Sequence, residues 1–402
     1  MVGEIARLKK AVPLALDWLS DIAMKQEENL TDELNSYKIE LPYWKGSIRN
    51  EYFAAIKKWR IYGPIWHTGQ ALKSLLLGSE IDFVEDKQKY LNAALESANF
   101  LLKNQIWDES DPNHGLLLAF EDVVGKITTS GIFEAIDSLF ILSDLTKNNL
   151  YRERALGALD FCKERLYVKG KGYFIDTYDP AKNEPFNPYN YDKTTGVDGR
   201  PVIDDSVYFT AWKLTGNEEY ATLFWEMIDR LILDEDPPGN WISYWPNNKK
   251  KGYFHPRHSF WWGRPFLVAY KEGKEQKYLN VVKRACDWYI NAIRKDGGLF
   301  RNTYTDWGTE SFGHATSGTA CAVILWLEYK EATGTTDYNS VIRKCLNHCI
   351  SMQFTNPQDK NLKGCILEKV LPPDGTDKSP YFIRDLGTIF FIQAAAKYLG
   401  AY

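Results

Sequence analysis

The sequence predicts an all-α protein: a toroid of paired helices, (α/α)6 to (α/α)7, forming one catalytic domain over residues 1–402. Three observations carry this. A tyrosine opens a polar, amphipathic helix at Tyr90, Tyr151, Tyr220, Tyr278 and Tyr338, positions 61, 69, 58 and 60 residues apart. A short apolar segment led by glycine or asparagine follows most of these helices: Gly115-Leu116-Leu117, Gly172-Tyr173-Phe174, Asn240-Trp241-Ile242, Gly298-Leu299-Phe300 and Gly364-Cys365-Ile366. A second helix, apolar nearly all round, comes next. A repeat of this length is a supersecondary unit that cannot bury its own apolar face and must stack on its neighbours.

In chain order, the helix near 3–24 is the first outer member, and the stretch 45–60 offers a further helix that would make a seventh pair. The inner set reads 66–78 (WHTGQALKSLLLG), 131–145 (GIFEAIDSLFILSDL), 202–216 (VIDDSVYFTAWKLTG), 259–270 (SFWWGRPFLVAY), 318–329 (GTACAVILWLEY) and 386–399 (LGTIFFIQAAAKYL). Helices apolar on every side are surrounded by protein, whereas the tyrosine-marked helices carry one polar face and lie outside. Inner helices ringed by outer ones make a toroid in which alternate helices run the same way. Loops entering the inner helices therefore share one end. Those loops are long and rich in polar and aromatic residues, while the inner-to-outer turns (LTKNNLY, LTGNEEY, KEGKEQKY, ATGTTDY) are short and plain. Function is expected at the end with the long loops. The longest, 174–202, has the Pro, Asn, Gly and Tyr content of an ordered flap over the cleft.

Composition bounds the chemistry. The chain is 44% hydrophobic and 14% aromatic, with a net charge of −4. That balance gives no reason to expect a nucleic-acid partner or a membrane surface, and no apolar run approaches the ~20 residues that span a bilayer. The opening MVGEIARLKKAVPLALDWL lacks the apolar core and cleavage site of a signal peptide. The six cysteines mostly fall within helical patterns without a CxxC pair, so buried free thiols are expected. Cys345, His348 and Cys349 share one helix, but no second ligand pair accompanies them, and no metal is expected. None of the strings for a phosphate loop, a dinucleotide fold, a zinc protease or a serine hydrolase occurs, and nothing asks for an organic cofactor.

Four constellations carry candidate chemistry. HPRHSFWWGRP places His255, Arg257, His258, Trp261, Trp262 and Arg264 at the start of an inner helix. Indoles stack on sugar rings, guanidinium forks pair with carboxylates, and a helix N-terminus favours an anion. RNTYTDWGTESFGHATSG supplies Arg301, Asn302, Tyr304, Trp307, Glu310 and His314, in which a tyrosine and a histidine beside a cation can act as acid and base. KKWRIYGPIWHTGQ interleaves Arg60, Trp66 and His67 with further aromatics. RPVIDDSVYF holds Asp204 and Asp205, of which at most one faces a common cleft if both are helical, since neighbours point about 100° apart. With Glu134, Asp137 or Glu310 they offer the paired carboxylates of a glycosidase. Arg384 and Asp385 open the last inner helix.

This repeat, with these residues at its loop ends, resembles the carbohydrate-active α/α toroid enzymes. It looks most similar to the alginate and glucuronan lyases of polysaccharide lyase family 38. The segment Ser259-Phe260-Trp261-Trp262-Gly263-Arg264 loosely echoes a string of unsaturated glucuronyl hydrolases. The lyase resemblance implies β-elimination on a β-1,4-linked polyuronate by a monomeric enzyme. Tyr304 would serve as acid and base with His258 or His314, and Arg264, Arg301 and Asn302 would neutralise the carboxylate. Arg60, Trp66, His67, Asp205, His255, Arg257, Trp261, Trp262, Trp307, Glu310 and Arg384 would bind the acidic polysaccharide. The alternative is a hydrolase of the same toroid using paired Asp and Glu carboxylates.

Overall fold

A computed structural model describes residues 2–121, 123–186, 199–309, 313–370 and 382–401. Six outer helices are present there: α1 (Val2–Asp17), α3 (Lys87–Lys103), α5 (Asn149–Arg165), α7 (Glu218–Leu233), α10 (Gln276–Ala292) and α12 (Asn339–Ser351). Six inner segments alternate with them: α2 (Pro64–Ser79), α4 (Thr129–Thr146), α6 (Val207–Thr215), the broken pair α8 (His258–Gly263) and α9 (Pro265–Gly273), α11 (Thr316–Thr333) and α13 (Leu386–Tyr398). The inner ring closes: α2 packs on α4, α4 on α6, α9 on the turn before α6 and on α11, α11 on α13, and α13 back on α2. The architecture is the α/α toroid, with six pairs.

Burial follows the sequence pattern. Every residue of α2 is buried, as are Thr316–Tyr329 of α11 and Leu386–Ala396 of α13. The short turns between inner and outer helices work by local capping. Lys147 and Gly216 end α4 and α6 in the left-handed region, and the side chains of Asn148 and Asn217 then accept the Leu150 and Glu219 amides to start α5 and α7.

The seventh pair is not formed. Within 45–60 the chain makes strands Glu51–Phe53 and Lys58–Arg60, which join Phe382–Arg384 and Lys369–Val370 in an antiparallel sheet. Cross-strand charge decides this: the buried Glu51 carboxylate lies directly opposite both Arg60 and Arg384 and pairs with each.

The repeat markers have physical roles. Tyr90, Tyr220 and Tyr338 each donate a 2.8 Å hydrogen bond to a carboxylate on the preceding outer helix, Asp17, Asp160 and Asp287 respectively. Each Tyr→Phe substitution should cost about 0.5–1.5 kcal/mol. The three sites share no partner, so urea denaturation of the triple variant should return the sum of the single losses to within about 0.5 kcal/mol. Glycines at or beside these segments pack against outer-helix backbone, although the marker Gly298 itself meets the His348 side chain. A β-carbon at Gly172 would lie 2.3 Å from the Glu226 carbonyl oxygen, and Gly172 has a positive φ that disfavours other residues. Gly46, Gly115, Gly239, Gly297 and Gly364 meet the backbone of the other five outer helices in the same way.

All six cysteines are free and buried. Among the described residues no group of three His, Cys, Asp or Glu side chains is arranged to hold a metal ion, and no helix is long and apolar enough to cross a membrane.

Candidate active site

The N-terminal ends of the inner helices converge on a pocket with a volume of about 140 Å³. Trp66 reaches it from the first turn of α2, and Thr128, Ser130 and Glu134 from the start of α4. Asp204 enters from the turn before α6, and His255, Arg257, His258, Trp261 and Trp262 from the approach to α8 and from α8 itself. Arg301 precedes α11, and Arg384 precedes α13. One loop end of the toroid thus collects aromatic faces, guanidinium groups and carboxyl groups, with helix N-termini adding positive potential.

The aromatic and cationic walls are built together. The His255 ring stacks on Trp261 at 4.9 Å with an interplanar angle of 8°, and the Arg257 guanidinium also lies over the Trp261 ring, at 4.9 Å. Arg257 also donates to Ser317 Oγ at 3.0 Å and faces Glu368 at 3.6 Å. Trp66 donates its indole N–H to Glu121, which also accepts from Thr128. Arg384 is committed to Glu51 and covers the Tyr62 ring at 4.7 Å. Half-buried Arg301 donates to His255 Nε2 at 2.9 Å. Burial lowers the Arg301 guanidinium to about 10, and the neighbouring Arg384 and Arg257 charges add to the fall. The guanidinium groups of Arg257, Arg301 and Arg384 thus lie close together at the pocket wall, where an anion would relieve their repulsion.

The acidic side is Asp204, Glu134 and Asp176. Burial raises the Asp204 carboxyl to about 7; Arg200 opposes the rise and Asp205 adds to it. Glu134 is pushed well above the usual carboxylate range by burial and then by Asp204, against Arg257. Asp176 is paired with Arg200, which also donates to the Trp245 carbonyl at 2.7 Å and to Ser130 Oγ at 3.1 Å. Burial holds His255 and His258 neutral, helped by Arg301 for the first and Arg200 for the second.

The turn that delivers Asp204 is strained. Asp205 has φ 53° and Ser206 φ 55°, two successive left-handed residues without glycine. Each costs about 1–3 kcal/mol unless its surroundings hold it, a pattern concentrated at functional sites.

Several expected site residues lie elsewhere. Asp205 does not face the pocket: its carboxylate accepts from Lys73 at 2.8 Å, Arg264 at 3.0 Å and Gln70 at 2.9 Å beneath it. Arg264 is turned the same way and grips Glu328 with both Nε and Nη2, so its charge is already matched. Tyr304 sits in the short strand Thr303–Tyr304 paired with Tyr253–Phe254, its ring against Tyr253, and does not line the pocket. Asn302 and the exposed Trp307 are likewise outside it, Trp307 packing on Trp288. His314 bridges Phe300 next to outer-helix His348 rather than the cavity. Arg60 pairs with Glu51 and covers Phe382. His67 is fully buried behind Trp66 and bonds Asp385 at 2.7 Å. Glu310 and the middle of the expected flap, 187–198, fall outside the described residues.

The pocket residues that the sequence did not single out are Glu121, Ser130, Asp176, Arg200, Trp245 and Pro246. Arg200, which opens the RPVIDDS segment, and Asp176 both lie within the expected flap 174–202. The others had no signal.

No protein-family model matches the chain, and no curated protein does. Solved structures match over nearly the whole chain. An unsaturated glucuronyl hydrolase specific for heparin is 14% identical with a TM-score of 0.67, covering 98% of this chain and 97% of its own. Cellobiose 2-epimerase from Bacillus thermoamylovorans is 11% identical with a TM-score of 0.68, covering 100% of both. A D-mannose isomerase is 11% identical with a TM-score of 0.65, covering 98% and 97%. At these identities the likeness speaks for the α/α toroid fold alone, and it gives no support to the lyase family 38 assignment.

Proposed function

We propose that the chain is a glycan-acting hydrolase that removes a terminal 4,5-unsaturated uronic acid, with Asp204 as the proton donor. The observation that carries this reading is a buried carboxyl, Asp204, raised to about 7 so that it can hold a proton near neutral pH, in a pocket also lined by Arg257, Arg301 and Arg384. Trp66 and Trp262 supply aromatic walls for one sugar ring, and the Arg301 guanidinium, bonded to His255 rather than to a carboxylate, suits its carboxylate. A pocket of about 140 Å³ suits a chain end better than the middle of a polymer.

The charge states favour this chemistry over a two-carboxylate glycosidase, which needs one ionised partner. Asp204 and Glu134 are both pushed towards the neutral form, and Asp176 is tied to Arg200. A 4,5-unsaturated uronide is an enol ether and needs only an acid to start. Asp204 gives its proton to C4, and the ring oxygen shares the positive charge left at C5. Water adds at C5, returning a proton to Asp204. The hemiketal opens to a ketone, and the hemiacetal left at C1 releases the remaining glycan. One water is consumed overall. The polyuronate lyase reading loses ground because Tyr304 and Arg264 lie away from the pocket.

The test is an ultraviolet assay. Unsaturated oligosaccharides from lyase digests of heparin, hyaluronan and glucuronan should lose the absorbance of the conjugated double bond. A rise in that absorbance on intact polymer would instead mark a lyase. Arg301→Gln is expected to raise KM about 10–100-fold, the effect of ~1.5–3 kcal/mol from a charged hydrogen bond, with a smaller change in kcat. A neutral glycoside should show no such loss.

Sugar epimerisation is the second reading. Two buried histidines, His255 and His258, are held neutral in the pocket, as a proton-abstracting base must be. Exchange of a C2 proton with deuterated solvent, without loss of any double bond, would favour it.

A further inference from the structure

Beneath the pocket, charged and amide side chains from all six inner segments form one network centred on Asp205, which itself touches Lys73, Gln70 and Arg264. Lys73 of α2 bridges Asp205 at 2.8 Å and Asp137 of α4 at 2.6 Å. Arg264, at the break between α8 and α9, joins Asp205 at 3.0 Å to Glu328 of α11 at 2.8 Å. Gln70 of α2 donates both to Asp205 Oδ2 at 2.9 Å and to the Glu134 carbonyl at 2.8 Å, and accepts from Gln393 of α13 at 3.1 Å. A void of about 10 Å³ beside this hub, lined by Gln70, Asp205 and Arg264, shares Glu134 and Trp261 with the pocket.

We infer that Asp205 is a positioning residue for Asp204: the hub clamps the left-handed turn so that Asp204 points into the pocket, and its charges keep the Asp204 proton in place. This rests on Asp204 being the proton donor proposed above. The argument is geometric first. Two successive left-handed residues persist only where neighbours over-determine them, and Asp205 is the one held by three side-chain donors. The electrostatic part follows from adjacency. Burial favours the neutral form of Asp205, but Lys73 and Arg264 outweigh it and keep Asp205 ionised, one residue from Asp204. The groups facing Asp204 are then Arg200 and Asp176 from the preceding loop, Glu134 from α4, and Asp205. Those facing Asp205 are Lys73, Arg264, Asp137, Glu134, Asp204 and, beyond Arg264, Glu328.

The signs are opposite for two substitutions. Asp205→Asn removes a negative charge beside Asp204 and should lower its titration midpoint by about one unit or more, a tenfold change in its proton affinity. Lys73→Gln removes the cation that offsets Asp205 and should raise the midpoint. Carbon-13 carboxyl NMR of the full chain reads both, with Asp204→Asn identifying the resonance. If Asp205→Asn does not fold, Glu328→Gln replaces it: freeing the Arg264 charge should also lower the midpoint. Opposite shifts support the inference. A midpoint unmoved to within a few tenths of a unit, or moved the same way by both substitutions, overturns it, because a purely structural hub would not sort by charge. The readout needs no substrate. If no unsaturated glycan is turned over, the functional reading fails while the hub is still judged on its own.

Discussion

Asp204→Asn should reduce kcat by about 10²–10⁴-fold, the usual contribution of a positioned general acid, while glycan binding changes only a few-fold. The asparagine keeps the size of the side chain but has no proton to give. The same carboxyl sets the pH profile. Turnover needs the protonated form, so kcat/KM should hold level on the acid side and decline as pH rises through about 7. Stability should follow the same group. Its folded-state value lies above the usual 3.8, so between these limits the native chain holds a proton that the unfolded chain has released. The contribution of this carboxyl to stability is therefore fully present below about 3.8 and lost as pH climbs through 7. The Asp204→Asn variant escapes that loss. Above neutral pH it should melt at a higher temperature than the native sequence while turning over far more slowly. Equal activity in the two proteins would remove Asp204 from the mechanism.

Gly364→Ala is expected to damage the scaffold severely. Gly364 has φ 96°, and a β-carbon there would sit 2.1 Å from the Leu14 carbonyl oxygen in α1. That contact belongs to the seam where the last repeat meets the first helix and the ring closes. Gln353 donates across it to the Ala11 carbonyl at 2.9 Å, and Trp18 donates to the Asn361 carbonyl at 2.7 Å. Alanine would add left-handed strain to a backbone clash that no rotamer relieves, together about 2–4 kcal/mol. Equilibrium denaturation should show that loss, and Gly400→Ala, where a β-carbon meets nothing, provides the control for left-handed strain alone. If the two substitutions cost the same, close approach at the seam is not what Gly364 provides.

Much of the scaffold was legible because its cause is local. An inner helix must be apolar all round, an outer one must not, and the glycine and tyrosine markers recur where each unit touches the next. The stretch 45–60 misled because its helical spacing competes with a pairing that is invisible locally. Glu51 finds Arg60 nine residues away but Arg384 more than three hundred away, and the second partner makes the sheet. In the site, the HPRH and WW residues were readable because they all lie on one approach to one helix. Tyr304 was not, because its strand pairs with Tyr253–Phe254, about fifty residues earlier in the chain, and that pairing turns it aside from Arg301.

By itself the sequence determined the helix pairing, the inner and outer assignment, and the end of the ring where the pocket-lining residues gather. These depend on side-chain period and loop composition, which every repeat states anew. Only the tertiary structure decided that Asp204 enters the pocket while Asp205 goes to the hub, and that Arg264 is matched by Glu328 while Arg301 faces the cavity. The physical reason is that a charge is defined by its partners. In a closed ring those partners come from helices far apart in the chain, across a left-handed turn whose direction no local pattern reveals.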